Sequence, residues 1–253
     1  MFDYKGQVVM ITGASSGLGV QMAEGFANQG ADLAILARRE ERLEEIAKDI
    51  NDKYGVKVLP VKCDVTSTEN IDKAVEKIVK EYGKIDVLVN CAGSSKGGAI
   101  NEMTDEAWDF TIDIDLTSVF KVTRKVSNVM IENNYGRIIN IASMYGILGT
   151  NQEQVAYHSS KAAVLNLTRA VASELAEYNI TCNAIAPGFF TTELTEDTLE
   201  TDDFKAYMGI SVPMKRPGDR GELNAGAIFL GSKEASYVTG VTLPIDGGWS
   251  SSK

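Results

Sequence analysis

The chain of 253 residues has one histidine, His158. A zinc site built on imidazole and a Ser-His-Asp triad both need more than that, so neither is expected. Cysteine is nearly as scarce. Cys63, Cys91 and Cys182 are odd in number, widely separated and set in apolar surroundings, which reads as three reduced thiols and not as a disulfide or metal framework. Basic residues are outnumbered, with 25 Lys and Arg against 35 Asp and Glu and a net charge of -10. That is the wrong sign for a nucleic acid or an anionic membrane as main partner. No apolar run approaches the roughly 20 residues that span a bilayer. Met1 to Lys5 show no basic flank leading into an apolar leader, and no Pro/Ser-rich linker, repeat or low-complexity tract interrupts the chain. One soluble cytoplasmic domain over residues 1–253 is expected.

Short β-branched and apolar runs alternate with segments of helical period from end to end. The runs fall at residues 8–12, 32–37, 57–62, 85–90, 137–142, 181–186 and 239–245. Between them, spacings such as Ile71, Ala74, Val75 and Ile78 predict crossover helices. Repeated βα units predict a single-domain, doubly wound α/β fold of Rossmann type, about seven parallel strands with helices on both faces. Such a sheet carries its sites at the carboxyl ends of its strands. The chemistry-bearing residues fall there: Gly13 to Gly19 after the first strand, Arg38 and Arg39 after the second, Asp64 after the third, Asn90 to Gly93 after the fourth, Ser143 after the fifth and Pro187-Gly188 after the sixth.

Thr12-Gly13-Ala14-Ser15-Ser16-Gly17-Leu18-Gly19 runs from the first strand into a helix. Glycines there let backbone N–H groups approach a pyrophosphate, and the helix N-terminus adds partial positive charge, so dinucleotide binding is expected. An NAD site usually has an acid roughly 20 residues past this turn. Here the second strand ends Ala37-Arg38-Arg39. Two cations at that point suit a 2'-phosphate, which favours NADP(H) over NAD(H).

Among nine tyrosines only Tyr157 has a lysine, Lys161, four residues on. That spacing puts both side chains on one helical face. A phenol, with a pKa near 10, needs such a fixed cation to exchange protons near neutral pH. Ser143, at the end of the fifth strand, can donate to a carbonyl oxygen as negative charge develops on it.

With these residues, and with Cys63-Asp64-Val65, Asn90-Cys91-Ala92-Gly93, Ile141-Ala142-Ser143, Tyr157-His158-Ser159-Ser160-Lys161, Pro187-Gly188 with Thr192, and Asp246-Gly247-Gly248, the chain resembles the short-chain dehydrogenase/reductase family over nearly its whole length. The resemblance implies an oxidoreductase that interconverts a secondary alcohol and a ketone. It implies Tyr157 as general acid/base, Lys161 as the cation beside it and on the nicotinamide ribose, and Ser143 as the group that orients the carbonyl. Cofactor contacts are implied at Gly13, Ser15, Ser16, Gly17, Leu18, Gly19, Arg38, Arg39, Asp64, Val65, Asn90, Ala92, Gly93, Tyr157, Lys161, Pro187, Gly188, Phe190 and Thr192. One position departs from the pattern. Where the family places an asparagine in a proton relay behind the lysine, this chain has Asp115, whose charge offsets part of the lysine's field. Retained activity with an alkaline-shifted optimum for alcohol oxidation is expected.

Residues 189–212 form the expected substrate lid, with acids and no base between Glu193 and Asp203. Segments around Tyr145, Asn179 to Asn183, Pro187 to Thr195 and Val212 to Arg216 are similar to the gluconate 5-dehydrogenase branch, which implies gluconate and 5-ketogluconate as substrates. Lys96 is a candidate partner for a substrate carboxylate. The alternatives are a 3-oxoacyl-thioester reductase, a hydroxysteroid dehydrogenase and, in a different class, a non-catalytic NADP(H) sensor. Apolar residues on two long helices, Val119, Phe120, Val122, Val164, Leu165 and Leu167, together with the family resemblance, suggest a homotetramer or a homodimer.

Overall fold

A computed structural model describes residues 2–193 and 195–252. Met1 and Lys253, at the ends of the expected domain, and Leu194 of the expected lid lie outside the described residues. Seven strands form one sheet: β1 (Val8–Thr12), β2 (Asp32–Ala37), β3 (Val58–Lys62), β4 (Val87–Asn90), β5 (Gly136–Ile141), β6 (Ile180–Pro187) and β7 (Thr242–Ile245). Their order is β3-β2-β1-β4-β5-β6-β7, and every pairing is parallel. The expected strands are all present. The last is shorter than residues 239–245 because the chain turns at Gly240, where φ is +75°, before entering the sheet.

Alternation along the strands builds two cores. Val9, Ile11, Leu33, Ile35, Val87, Val89 and Ile139 face helices α1 (Gly17–Asn28) and α2 (Glu40–Tyr54). Val8, Met10, Ala34, Leu36, Leu88 and Ile138 face α3 (Thr68–Tyr82) on the opposite side. With period-2 side chains buried on both faces, the strands read as nearly continuous apolar runs, as in other sheets covered by helices.

After β4 come α4 (Asp105–Ile112), a π-helical turn at Asp113–Thr117 and α5 (Ser118–Glu132), in one continuous helical path. The helix α6 (Val155–Leu175) follows β5. Short helices α7 (Glu196–Leu199) and α8 (Asp202–Ser211) lie within the lid, and α9 (Asn224–Gly231) leads toward β7. The ends of the lid are tied together by Thr191 N–H to the Gly218 carbonyl at 3.0 Å and Gly218 N–H to the Phe189 carbonyl at 2.8 Å.

The apolar surplus expected on α5 and α6 is largely absent. Val119, Val122, Val164 and Leu165 are buried against this chain's own core and Leu167 is partly buried, while Phe120 is 44% exposed with the Arg124 guanidinium 5.1 Å from its ring. Two wide faces of each helix are covered because α5 and α6 pack both on the sheet and on each other.

Candidate active site

The strand order reverses between β1 and β4, and the crevice opens at that switch point. The Thr12 hydroxyl accepts the N–H groups of Cys91 at 3.0 Å and Ala92 at 3.1 Å, which pins the two strand ends together. The glycines are required by this closeness. A Cβ on Gly13, where φ is +70°, would stand 2.7 Å from the Ala92 Cα, and one on Gly19 would stand 2.4 Å from the Gly13 carbonyl oxygen. Ser16 caps α1 without a side-chain hydrogen bond, and the first turn of α1 carries no acid. Its N–H groups and partial positive charge are thus directed at the crevice.

The crevice has a volume of about 1180 Å³. Its walls bring together Gly13, Ser15, Ser16, Gly17, Leu18, Gly19, Arg38, Arg39, Asp64, Val65, Ala92, Gly93, Ser143, Tyr157, Lys161, Pro187, Gly188, Phe190 and Thr192. A glycine cradle beside a helix N-terminus, with two cations at one end, fits a dinucleotide phosphate. Arg39 Nη2 donates to the Ser15 hydroxyl at 3.1 Å, so its guanidinium is folded over the Gly-rich turn. The Asp64 carboxylate is held below the usual range, chiefly by the Thr66 N–H it accepts at 3.0 Å.

Two of the expected residues are not in the walls. Asn90 is turned into the core, where its amide donates to the Thr123 hydroxyl at 3.0 Å and the Asn140 carbonyl oxygen at 2.8 Å. Its side chain positions the end of β4 and does not border the crevice. Asp115 is fully buried beneath the walls, brought there by the π-helical turn, with Oδ1 accepting the Ser94 N–H at 2.9 Å and Oδ2 3.7 Å from Lys161 Nζ.

The Lys161 ammonium also donates to the Ile141 carbonyl at 3.2 Å and lies 5.4 Å from the centre of the Tyr157 ring. Burial presses its pKa down, but Asp115, Tyr157 and Cys91 outweigh that and hold it above the ordinary lysine value. Burial raises the Asp115 carboxyl above the ordinary range against the opposing pull of Lys161 and the Ser94 N–H. Ser143 Oγ accepts the Tyr145 N–H at 3.2 Å, which leaves its own O–H to donate into the crevice.

His158 is a packing residue outside the crevice walls. Its ring stacks on Tyr145 at 4.6 Å, and its nitrogens contact the Gln154 carbonyl and the Thr150 hydroxyl. The cysteines are free thiols, with burial pushing Cys63 up to about 11 and Cys91 and Cys182 up to about 12. Among the described residues no group of three or more His, Cys, Asp or Glu could hold a metal, and no helix is long and apolar enough to cross a membrane. Sequence reasoning missed Ser95, Phe110, Asp113, Ile114 and Leu199 as wall residues. They come from loops and helix ends whose approach to the crevice has no motif.

The sequence profile of the family described as enoyl-(acyl carrier protein) reductase matches residues 13–250. The chain is 41% identical to the 3-oxoacyl-(acyl-carrier-protein) reductase FabG of Thermotoga maritima, over 96% of this chain and 98% of that protein. It is 38% identical to the 5-keto-D-gluconate 5-reductase of Escherichia coli K12, over 98% of this chain and 97% of that protein. A gluconate 5-dehydrogenase from Burkholderia cenocepacia, solved in complex with NADP and tartrate, superposes with a TM-score of 0.95 at 32% identity, over 100% of this chain and 98% of that one.

Proposed function

The chain belongs to the short-chain dehydrogenase/reductase family and is an oxidoreductase, and from that premise we propose that it binds NADP(H) and interconverts a secondary alcohol and a ketone through Ser143, Tyr157 and Lys161. The observation that carries the reading is the buried Lys161 ammonium beside the Tyr157 ring, in one crevice with Ser143. When bound, the nicotinamide supplies or accepts the hydride. In reduction Tyr157 donates its phenolic proton to the carbonyl oxygen, and in oxidation it takes that proton back. Lys161 stabilises the negative charge left on the phenol and is fixed for that task by the Ile141 carbonyl and Asp115. The Ser143 hydroxyl donates to the same carbonyl oxygen and fixes its position.

Arg38 and Arg39 favour the 2'-phosphate form, in keeping with the NADP of the Burkholderia enzyme. The implied cofactor contacts follow the crevice walls, with Asn90 acting from behind them. Residues 1–253 act as one dinucleotide-binding and catalytic domain, cytoplasmic and assembled as a homotetramer or homodimer.

Substrate identity is less sharply drawn. Loop similarity favours gluconate and 5-ketogluconate, but a 3-oxoacyl reductase and a 5-keto-D-gluconate reductase stand at nearly equal identity, 41% and 38%. The reaction is tested by NADPH-linked reduction of 5-ketogluconate, a 3-oxoacyl thioester and ketosteroids side by side. Turnover of at least one, with NADPH preferred over NADH, is expected. NADPH binding without turnover of any ketone would instead fit a non-catalytic sensor.

A further inference from the structure

The reading of the crevice as a ketone reductase underlies the inference that follows, which narrows the substrate away from a sugar acid. We propose that the substrate is an uncharged ketone with an apolar body, and that Phe189 is the side chain that selects it.

Charge comes first. Among the described residues, the cations in the crevice walls are Arg38, Arg39 and Lys161. Both arginines stand at the end of β2, on the phosphate side, where Arg39 bonds Ser15. Lys161 is the one at the catalytic end, but Asp115 faces it at 3.7 Å and both are buried. At that distance the Asp115 carboxylate offsets the pull of the ammonium on an anion from solution. Asp113, also in the wall, has its carboxylate 3.8 Å from the Lys121 ammonium. The lid acids Glu193, Glu196, Asp197, Glu200, Asp202 and Asp203 are exposed and outside the walls, with Glu193 paired to Arg42 at 3.4 Å and Glu200 to Lys205 at 2.7 Å. Lys96, the candidate partner for a substrate carboxylate, is exposed and outside the walls, with its ammonium 4.7 Å over the ring of the wall residue Phe110. A substrate carboxylate, or a thioester on an acidic carrier protein, would meet no uncompensated cation in the walls at the catalytic end.

Shape points the same way. Phe189 borders the crevice, and its ring is held edge-on by Phe204 at 5.0 Å, Tyr207 at 5.9 Å and Tyr145 at 6.3 Å. Tyr145 in turn meets the Tyr157 ring at 6.2 Å and 87°. Phe189 is therefore a fixed apolar wall beside the proton donor, and Phe110, Ile114 and Leu199 extend the apolar surface. An apolar ring gains from such a wall, whereas a polyol chain would bury hydroxyls against it unpaired.

The test compares a cyclic keto acid with its own methyl ester, beside 5-ketogluconate and a neutral ketosteroid. The ester is expected to exceed the acid in kcat/KM by about tenfold or more. Ser95→Lys, which puts a cation into the exposed wall, should narrow that gap through the KM of the acid. Phe189→Ala should raise the KM for the ester about tenfold while the KM for NADPH is unchanged, and Phe189→Leu should restore most of the loss. Turnover of the acid equal to or better than the ester, or 5-ketogluconate as the best substrate, would overturn this inference and leave the proposed reaction standing. No reduction of any ketone would overturn both.

Discussion

Asp115 stands where the family resemblance leads one to expect an asparagine, and the structure gives that carboxyl group a location. Its carboxylate lies beneath the crevice floor, 3.7 Å from Lys161, the cation proposed to support the proton donor. Removing the charge while keeping the acceptor, as Asp115→Asn does, should leave the Ser94 N–H satisfied and return the full lysine field to the phenol. The pH-rate profile for alcohol oxidation should then move to lower pH in the variant, and an unchanged profile would refute the role given to Asp115. Stability gives a second readout. Because the folded-state pKa of Asp115 is raised, the folded protein holds its proton longer than the unfolded chain, so this group costs stability as pH climbs from about 4, the ordinary carboxylate value. The Tm of the wild type relative to Asp115→Asn should therefore fall as pH rises from acid to neutral. Ser143→Ala removes the donor to the carbonyl oxygen and should lower kcat about 100- to 1000-fold with little change in NADPH affinity.

Among the elements, the Gly-rich turn and the end of β4 act as one unit, since Gly13 lies directly against the Ala92 backbone. Gly13→Ala meets both a positive φ and a backbone neighbour that a side chain cannot displace. It should cost about 1–3 kcal/mol in a denaturant titration and abolish measurable dinucleotide binding. Arg39→Ala should raise the KM for NADPH about tenfold or more and leave that for NADH nearly unchanged; equal effects on both would remove the 2'-phosphate assignment. These elements were legible in the sequence because their physics is local. A continuous apolar run of strand length, a glycine turn leading into a helix and a lysine one helical turn past a tyrosine are each read within a few residues. What was not legible depends on the fold. Asn90 sits at a strand end beside the crevice, but β5 and α5 offer its amide two partners in the core, so the side chain turns inward. Phe189 reads as an ordinary loop residue until α8 brings Phe204 and Tyr207 against it. The apolar residues of α5 and α6 suggested an interface, yet most are buried within the chain.

For the whole molecule, a single sheet fixes where everything else can act. Six strand ends deliver the candidate cofactor and catalytic residues to one edge, and the lid beside them has exposed acids and an aromatic cluster packed inward. The net charge of -10 and the exposed acids of the lid make the molecule as a whole repel anions, although Arg38 and Arg39 stand in the crevice walls. Added salt should therefore lower the KM of an anionic ketone more than that of a neutral one, because screening removes the repulsion. The central claim is that Tyr157 passes the proton in a hydride-transfer reaction. Its most direct test is NADPH consumption with a reducible ketone by the wild type and Tyr157→Phe, with NADPH binding followed in parallel. The expected result is a fall in kcat of about 100- to 10,000-fold with binding intact, and turnover by Tyr157→Phe at the wild-type rate would contradict it.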